Sequence, residues 1–156
     1  RRGKQDFVRV QYSINTRVAE EKIFPIARET RTAVLVNMPL EKARLHAVVG
    51  NRPVPDWARE FGIETWSQFF LKWVISHPDV TCAIPATSNP DHVRENVQAM
   101  RGPLPDPDTR ERMVRYMEGI EGFDQIASMP WYPGKSYRGL VSRAQQAIDD
   151  RSPWPS

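Results

Sequence analysis

"CAIPATSNPDHVREN", Cys82 to Asn96, sets an apolar run against a polar helix start with only a short turn between them. Asn89 suits an N-cap, Pro90 a first helical position, and Asp91 a first turn. "NPDHVRENVQAM" therefore predicts a helix that ends before Gly102–Pro103. Just upstream, "VTCAIP" (Val80–Pro85) predicts a short strand. A strand that runs straight into a helix is one βα unit. The junction is also a natural seat for an anion, because the free N–H groups of a first helical turn and the helix dipole point at it. Taken alone, "TSNP" reads equally as a simple capping turn, and His92, Glu95 and Asn96 as the solvated face of the helix.

The same rhythm recurs upstream. "FVRVQYS" (Phe7–Ser13) alternates β-formers with polar residues and predicts a strand. In "INTRVAEEKIFPIARETR", Ala19, Ile23, Ile26 and Ala27 fall on one helical face, with Asn15 or Thr16 as cap. Pro25 should kink that helix or start a second piece. "TAVLVNMPL" (Thr32–Leu40) is a continuous apolar run, suited to a strand buried on both faces. Glu41 to Glu64 reads as a long irregular connection with Gly and Pro breaks. "TWSQFFLKWVISHP" predicts a strong helix, capped by Thr65, with Trp66, Phe69, Phe70, Trp73 and Val74 on its core stripe.

Beyond the "GPLPDPD" linker, "TRERMVRYMEGI" predicts a further helix with Met113, Met117 and Ile120 on one face. Residues 121–156 are rich in Pro, Gly and aromatics; "SRAQQAIDD" suggests a short helix there and "SPWPS" a loose end. The order is β-α-β-α-β-α, then a helix and a tail, which gives an α/β fold built from parallel βαβ units. We divide it at residues 1–105 and 106–156.

Composition narrows the function classes. The 156 residues carry a net charge of +3, with no clustering of Lys and Arg, which argues against a nucleic-acid partner. No apolar stretch approaches the roughly 20 residues a membrane span needs. "RRGKQDFV" lacks both Met and an apolar segment after "RR", so it reads as the interior of a longer protein and not as a secretion signal. The single cysteine, Cys82, lies in an apolar run and reads as a core thiol. A reducing, cytoplasmic setting fits these features. No metal-ligand spacing, P-loop or nucleophile elbow is present in the sequence.

"DFVRVQYSINTR", "AVLVNMPLEKARL" and "FFLKWVISHPDVTCAIPATSNPDHVREN" together resemble the last three βα units of the aldo/keto reductase family. The similarity runs from about Asp6 to Asp106 and is densest between Phe69 and Asn96. It implies a partial (β/α)₈ TIM barrel, three C-terminal βα units followed by a terminal helix and an irregular tail. It also implies a nicotinamide cofactor, NADP with NAD as the other option, and a small carbonyl substrate once the N-terminal half is supplied. On this resemblance the catalytic Asp, Tyr, Lys and His lie outside the chain. His46, His77 and His92 do not take the catalytic histidine's place.

The positions that match the family's motif belong to the cofactor: Ile84, Pro85, Ala86, Thr87, Ser88, His92, Glu95 and Asn96, which in relatives surround the adenosine 2′-phosphate and adenine. Tyr12 is either a further cofactor-facing residue or a packing residue under a helix. Relatives often carry Lys where this chain has Ala86, Arg where it has His92, Gln at Arg9 and an aromatic ring at Asn37. The loss of two cations implies a weaker preference for the phosphorylated cofactor. Trp131 or Tyr132 either covers the substrate mouth, as the tail does in relatives, or serves a surface loop or an intermolecular contact. The alternative from a different class is a non-catalytic assembly protein, a half-barrel whose open strand edge pairs with another chain or with itself. A degenerate nucleotide-binding module is a third.

Overall fold

Phe7–Gln11, Ala33–Asn37 and Cys82–Ile84 form three parallel strands, β1, β2 and β3, hydrogen-bonded in that order. The structure, a computed structural model, describes residues 5–134, 144, 146–148 and 150. Val10 pairs with Val36 and Asn37 with Ile84, so the C-terminal ends of β2 and β3 meet at one edge. Parallel strands need a crossover between them. Helix α1 (Ala19–Thr30) joins β1 to β2, and α2 (Arg44–Val49) and α3 (Trp66–Ile75) join β2 to β3. Two more helices follow, α4 (Pro90–Gln98) and α5 (Pro107–Glu118).

The core lies between one face of the sheet and the helices. Val34 and Val36 of β2 are buried while Ala33, Leu35 and Asn37 are half-covered. The expectation of a strand buried on both faces is thus corrected: helices cover one face only. On α1 the buried set is Ala19, Phe24 and Ala27, whereas Ile23 and Ile26 face out. The reason is Phe24, whose ring packs 4.8 Å from Tyr12 and 4.7 Å from His77 and turns the helix toward the sheet on that side. Neither expected cap serves α1. Asn15 donates instead to the Phe123 carbonyl and Thr16 to the Glu41 carboxylate. Pro25 sits inside one uninterrupted helix.

The connection read as irregular holds more order than its sequence suggests. A 3₁₀ turn at Glu41–Ala43 leads into α2, and a second spans Asp56–Phe61. Glu41, Lys42 and Ala43 all adopt left-handed backbone angles, with φ of 49°, 50° and 68°. Such a turn normally advertises itself through Gly or Asn, and here it does not.

Helix α3 follows the expectation closely. Thr65 accepts the Gln68 N–H at 3.3 Å, and the Trp/Phe stripe is buried, with Trp66 and Phe70 rings 5.6 Å apart. Helix α5 starts on Asp106, which accepts the Thr109 N–H at 2.7 Å. Its Met113 and Met117, then Ile120, Phe123 and Ile126, join the same core as α1 and α3. Arg110 of α5 is buried and donates to the Trp73 carbonyl, to Ser76 and to the Tyr12 hydroxyl. Residues 144 and 146–148 are helical, within the expected "SRAQQAIDD". The "SPWPS" end and Arg1 to Lys4 lie outside the described residues.

Cys82 is exposed and not a core thiol. It lies on β3, which pairs with β2 alone among the described residues, and only Ala83 of that strand turns toward the core.

Candidate functional site

The site is built from the turn that leaves β3. Pro85 to Ser88 carry the chain from the strand to Asn89, whose side chain accepts the Asp91 N–H at 2.9 Å and starts α4. Thr87 organises the turn from inside. Its hydroxyl accepts the Asn89 N–H at 3.1 Å and lies 3.3 Å from His92 Nδ1. Thr87, Asn89 and His92 are therefore one hydrogen-bonded group. Ser88 is exposed beside them, and Glu95 and Asn96 are half-buried one turn further along α4. Ile84 is 46 % exposed and lies next to Asn37 in the strand register.

Charge is thin at this junction. Arg94, the cation within the first turns of α4, is held by Asp91 at 2.6 Å. His46 on α2 approaches from the other side. Burial holds its imidazole below the usual histidine range, with the Glu95 carboxylate acting against that shift and His92 adding to it. Its Nε2 lies 3.1 Å from the Ser67 hydroxyl. His46 thus shares an electrostatic neighbourhood with the two α4 residues. The sequence carried no sign of this, because α2 itself was not legible there.

Tyr12 stands apart from this group. It is fully buried between Phe24, Trp73 and His77, and its hydroxyl is bonded to Glu20 and Arg110. Burial pushes its phenol well above the usual tyrosine range. Of the two roles open to Tyr12, the packing role matches this geometry.

A second polar constellation sits at the C-terminal ends of β1 and β2. Glu41 is completely buried, yet it accepts from Gln11, from Ser13 at 2.6 Å, from Thr16 at 2.8 Å and from Arg44 at 2.5 Å. A buried carboxylate is tolerable only when its lone pairs are filled in this way. The group ties the β1–α1 turn to the left-handed turn before α2. Lys42, next in that turn, places its ammonium 3.0 Å from the Trp131 ring centre, and its carbonyl accepts the Tyr132 N–H at 2.9 Å. Trp131 and Tyr132 are thereby pinned to the left-handed turn at Glu41–Ala43.

Two clefts open elsewhere: about 610 Å³ at the β1–α1 turn, lined by Asn15 to Val18, Glu20, Glu21 and Ala127, and about 250 Å³ between α1, α3 and α5. Neither contains a residue of the β3–α4 junction, which is an open surface. No cluster of metal-ligating side chains occurs among the described residues, and none of their helices is long and apolar enough to cross a membrane.

Comparison with known proteins adds a family to this geometry. The sequence profile of the Aldo/keto reductase family matches residues 3–112. The NADH-specific methylglyoxal reductase of Escherichia coli (strain K12) is 26 % identical over 131 residues, which cover 68 % of this chain and 40 % of that protein. Among solved structures, the holo form of an aldo-keto reductase from Bacillus halodurans is 24 % identical with a TM-score of 0.54, covering 73 % of this chain and 43 % of that one. An aldo/keto reductase from Klebsiella pneumoniae in complex with NADP and acetate is 22 % identical with a TM-score of 0.55, covering 83 % of this chain and 41 % of that one. The chain spans about 40 % of the curated relative's length.

Proposed function

Because the chain belongs to the aldo/keto reductase family, we propose that it forms the last three βα units of a (β/α)₈ barrel and holds the adenosine-phosphate end of a nicotinamide cofactor. The observation that carries this reading is the Thr87–Asn89–His92 group at the start of α4, placed directly after the strand beside β2. Barrel enzymes bind phosphate after their last strands, at a helix N-terminus. The donors present fit an anion. They are the Ser88 hydroxyl, the His92 ring and the N–H groups of the first turn, with Glu95 and Asn96 placed for the polar edge of a base.

The cofactor supplies hydride transfer to or from a small carbonyl compound. This chain's residues bind and orient its far end. The catalytic acid and its partners come from strands outside residues 1–156. The cofactor choice follows from charge. With Ala86 and His92 in place of two cations, the site grips a 2′-phosphate through hydroxyl and N–H donors alone, so NADP and NAD are held with little difference. The comparison proteins divide in the same way, one named NADH-specific and one bound to NADP.

Titration of the full chain with NADPH and with NADH, followed by tryptophan fluorescence, tests the reading. Binding of both within about tenfold of each other is expected, since neither of the two cations that would grip the 2′-phosphate is present. A well-folded sample that binds neither would end it. Ala86→Lys combined with His92→Arg should raise NADPH affinity at least tenfold, since even one new charge-assisted hydrogen bond contributes about 1.5–3 kcal/mol, and leave NADH unchanged.

A second reading, an assembly protein, draws on the apolar groups left uncovered along β3 and α4: Ile84, Val93, Val97, Met100 and Leu104. Such a face is sticky in water. A stable monomer in a size measurement would count against it.

A further inference from the structure

Helix α4 carries half of the candidate site, yet not one of its residues is buried. Half-covered residues such as Glu95, Asn96 and Gln98 rest it against α3 without locking it into the core, so its placement depends also on how its ends are held. The chain becomes buried again only at Ala99, and the turn that follows is gripped from two directions. Lys72, on α3, is completely buried, and its ammonium donates to the Arg101 carbonyl at 2.5 Å and the Pro103 carbonyl at 3.1 Å. A Cβ on Gly102, which has a φ of +74°, would lie 3.4 Å from the Phe61 carbonyl oxygen, and one on Gly62 would lie 3.7 Å from that of Arg101. The turn is thus fitted closely against the Phe61–Gly62 backbone, with Lys72 pulling on the carbonyls.

A fully buried ammonium with no carboxylate partner is costly. Leu or Met in its place would pack more cheaply, and most of the surrounding α3 face is apolar. The lysine's cation lies just past the C-terminus of α4, where the helix dipole and the free carbonyls favour it.

We propose that Lys72 is a positioning residue for the nucleotide site: it anchors the C-terminal turn of α4 and so sets where Ser88, His92, Glu95 and Asn96 stand. The proposal rests on the nucleotide reading above. The mechanism is a lever. Nine residues of helix are about 13 Å long, so a swing of roughly 10° about the anchored end moves the other end by about 2 Å. Binding constellations need placement within about 0.5 Å. A loosened anchor therefore costs affinity at the far end of the helix while the core, built on α3, α1 and α5, stays intact.

The test uses the full chain with adenosine 2′,5′-bisphosphate as probe and compares wild type, Lys72→Met and Lys72→Arg. The expected result has three parts. Wild type binds, Lys72→Met loses at least tenfold in affinity, and Lys72→Arg, which keeps the charge and the donors, recovers most of it. Amide exchange in the absence of probe should speed up across residues 90–100 in Lys72→Met, with Trp66–Ile75 as protected as in wild type. Should Lys72→Met not fold, Gly102→Ala decides: its Cβ would press the same turn off the Phe61 carbonyl at a positive φ, without touching Lys72, and should give the same affinity loss and the same local exchange. Wild-type affinity in a folded variant with a freed 90–100 segment overturns the lever. Faster exchange spread equally over α3 also overturns it, since that is a general structural role. A folded wild type that ignores the probe removes the nucleotide reading and this proposal together, whereas normal wild-type binding with an unaffected variant removes this proposal alone.

Discussion

Helices α3 and α4 flank the same strand, and they are opposites. In α3 every residue from Trp66 to Val74 is buried, including Ser67, Gln68 and Lys72; in α4 none is. Both are capped by a polar side chain, Thr65 and Asn89. The caps show that both helices start for local reasons, while burial shows that only α3 is held by the core. Elements that bind are drawn from the weakly held end of a structure, and the candidate site follows that division. It occupies the helix that contributes least to the core.

The largest expected contrast is in stability. Phe70→Ala, at a fully buried ring on α3, should lower unfolding free energy by about 3–5 kcal/mol. Val97→Ala on α4 should change it by less than about 0.5 kcal/mol. Urea melts check both, and a large loss for Val97 would mean that α4 is packed against something outside this chain. Next comes binding. Thr87→Ala with Asn96→Ala should weaken NADPH affinity at least tenfold in a fluorescence titration, about 1.4 kcal/mol or more, with the melting transition unmoved.

The caps sharpen the comparison further. Removal of either costs about 1 kcal/mol of helix stability, but the readouts differ. Thr65→Ala should shift the global melt, and Asn89→Ala should appear only as faster amide exchange in residues 90–98. Equal global shifts would erase the distinction between the two helices.

The smallest expected effect is with pH. Burial holds His46 and His77 below the usual histidine range, against the opposing pull of Glu95 on the one and of Glu20 and Asp79 on the other. Each is favoured as the neutral form in the folded state. The unfolded chain therefore binds more protons just below the unperturbed value of about 6.5. Stability should be full above that value and decline as pH falls through the depressed folded values. Melts at decreasing pH below 7.5 measure this, and His77→Gln should remove part of the slope. The Arg28 guanidinium holds Asp79 below the usual carboxylate range, so its contribution is present above about pH 4 and is lost only below it.

Legibility in the sequence tracked the same physics. Helices α3, α4 and α5 could be read from signals that act within a few residues: the Thr65 cap and Trp/Phe stripe in α3, the Asn89 cap and Pro90 in α4, and the Met113–Met117 face in α5, whose start at Asp106–Pro107 reads in sequence as linker. Helix α2 could not, since a left-handed turn of Glu41, Lys42 and Ala43 introduces it, and no residue there favours that backbone. Glu41 and Lys72 escaped notice for a related reason. A lone charged residue reads as solvated until its partners are seen around it, and apart from Arg44 beside Glu41 these lie 25 to 31 positions away in sequence.

By itself the sequence determined the alternation of strands and helices, the starts of α3 and α4, the existence of α5 though not its start at Asp106–Pro107, and the resemblance densest between Phe69 and Asn96. All of these rest on short-range propensity and pattern. Only the tertiary structure decided which side of each element is covered. It put Phe24 inside and Ile26 outside, exposed Cys82, buried Tyr12 under α1, and left α4 without a buried residue. Coverage depends on which neighbour packs against a face, and that neighbour is named by the fold, not by the spacing of residues along the chain.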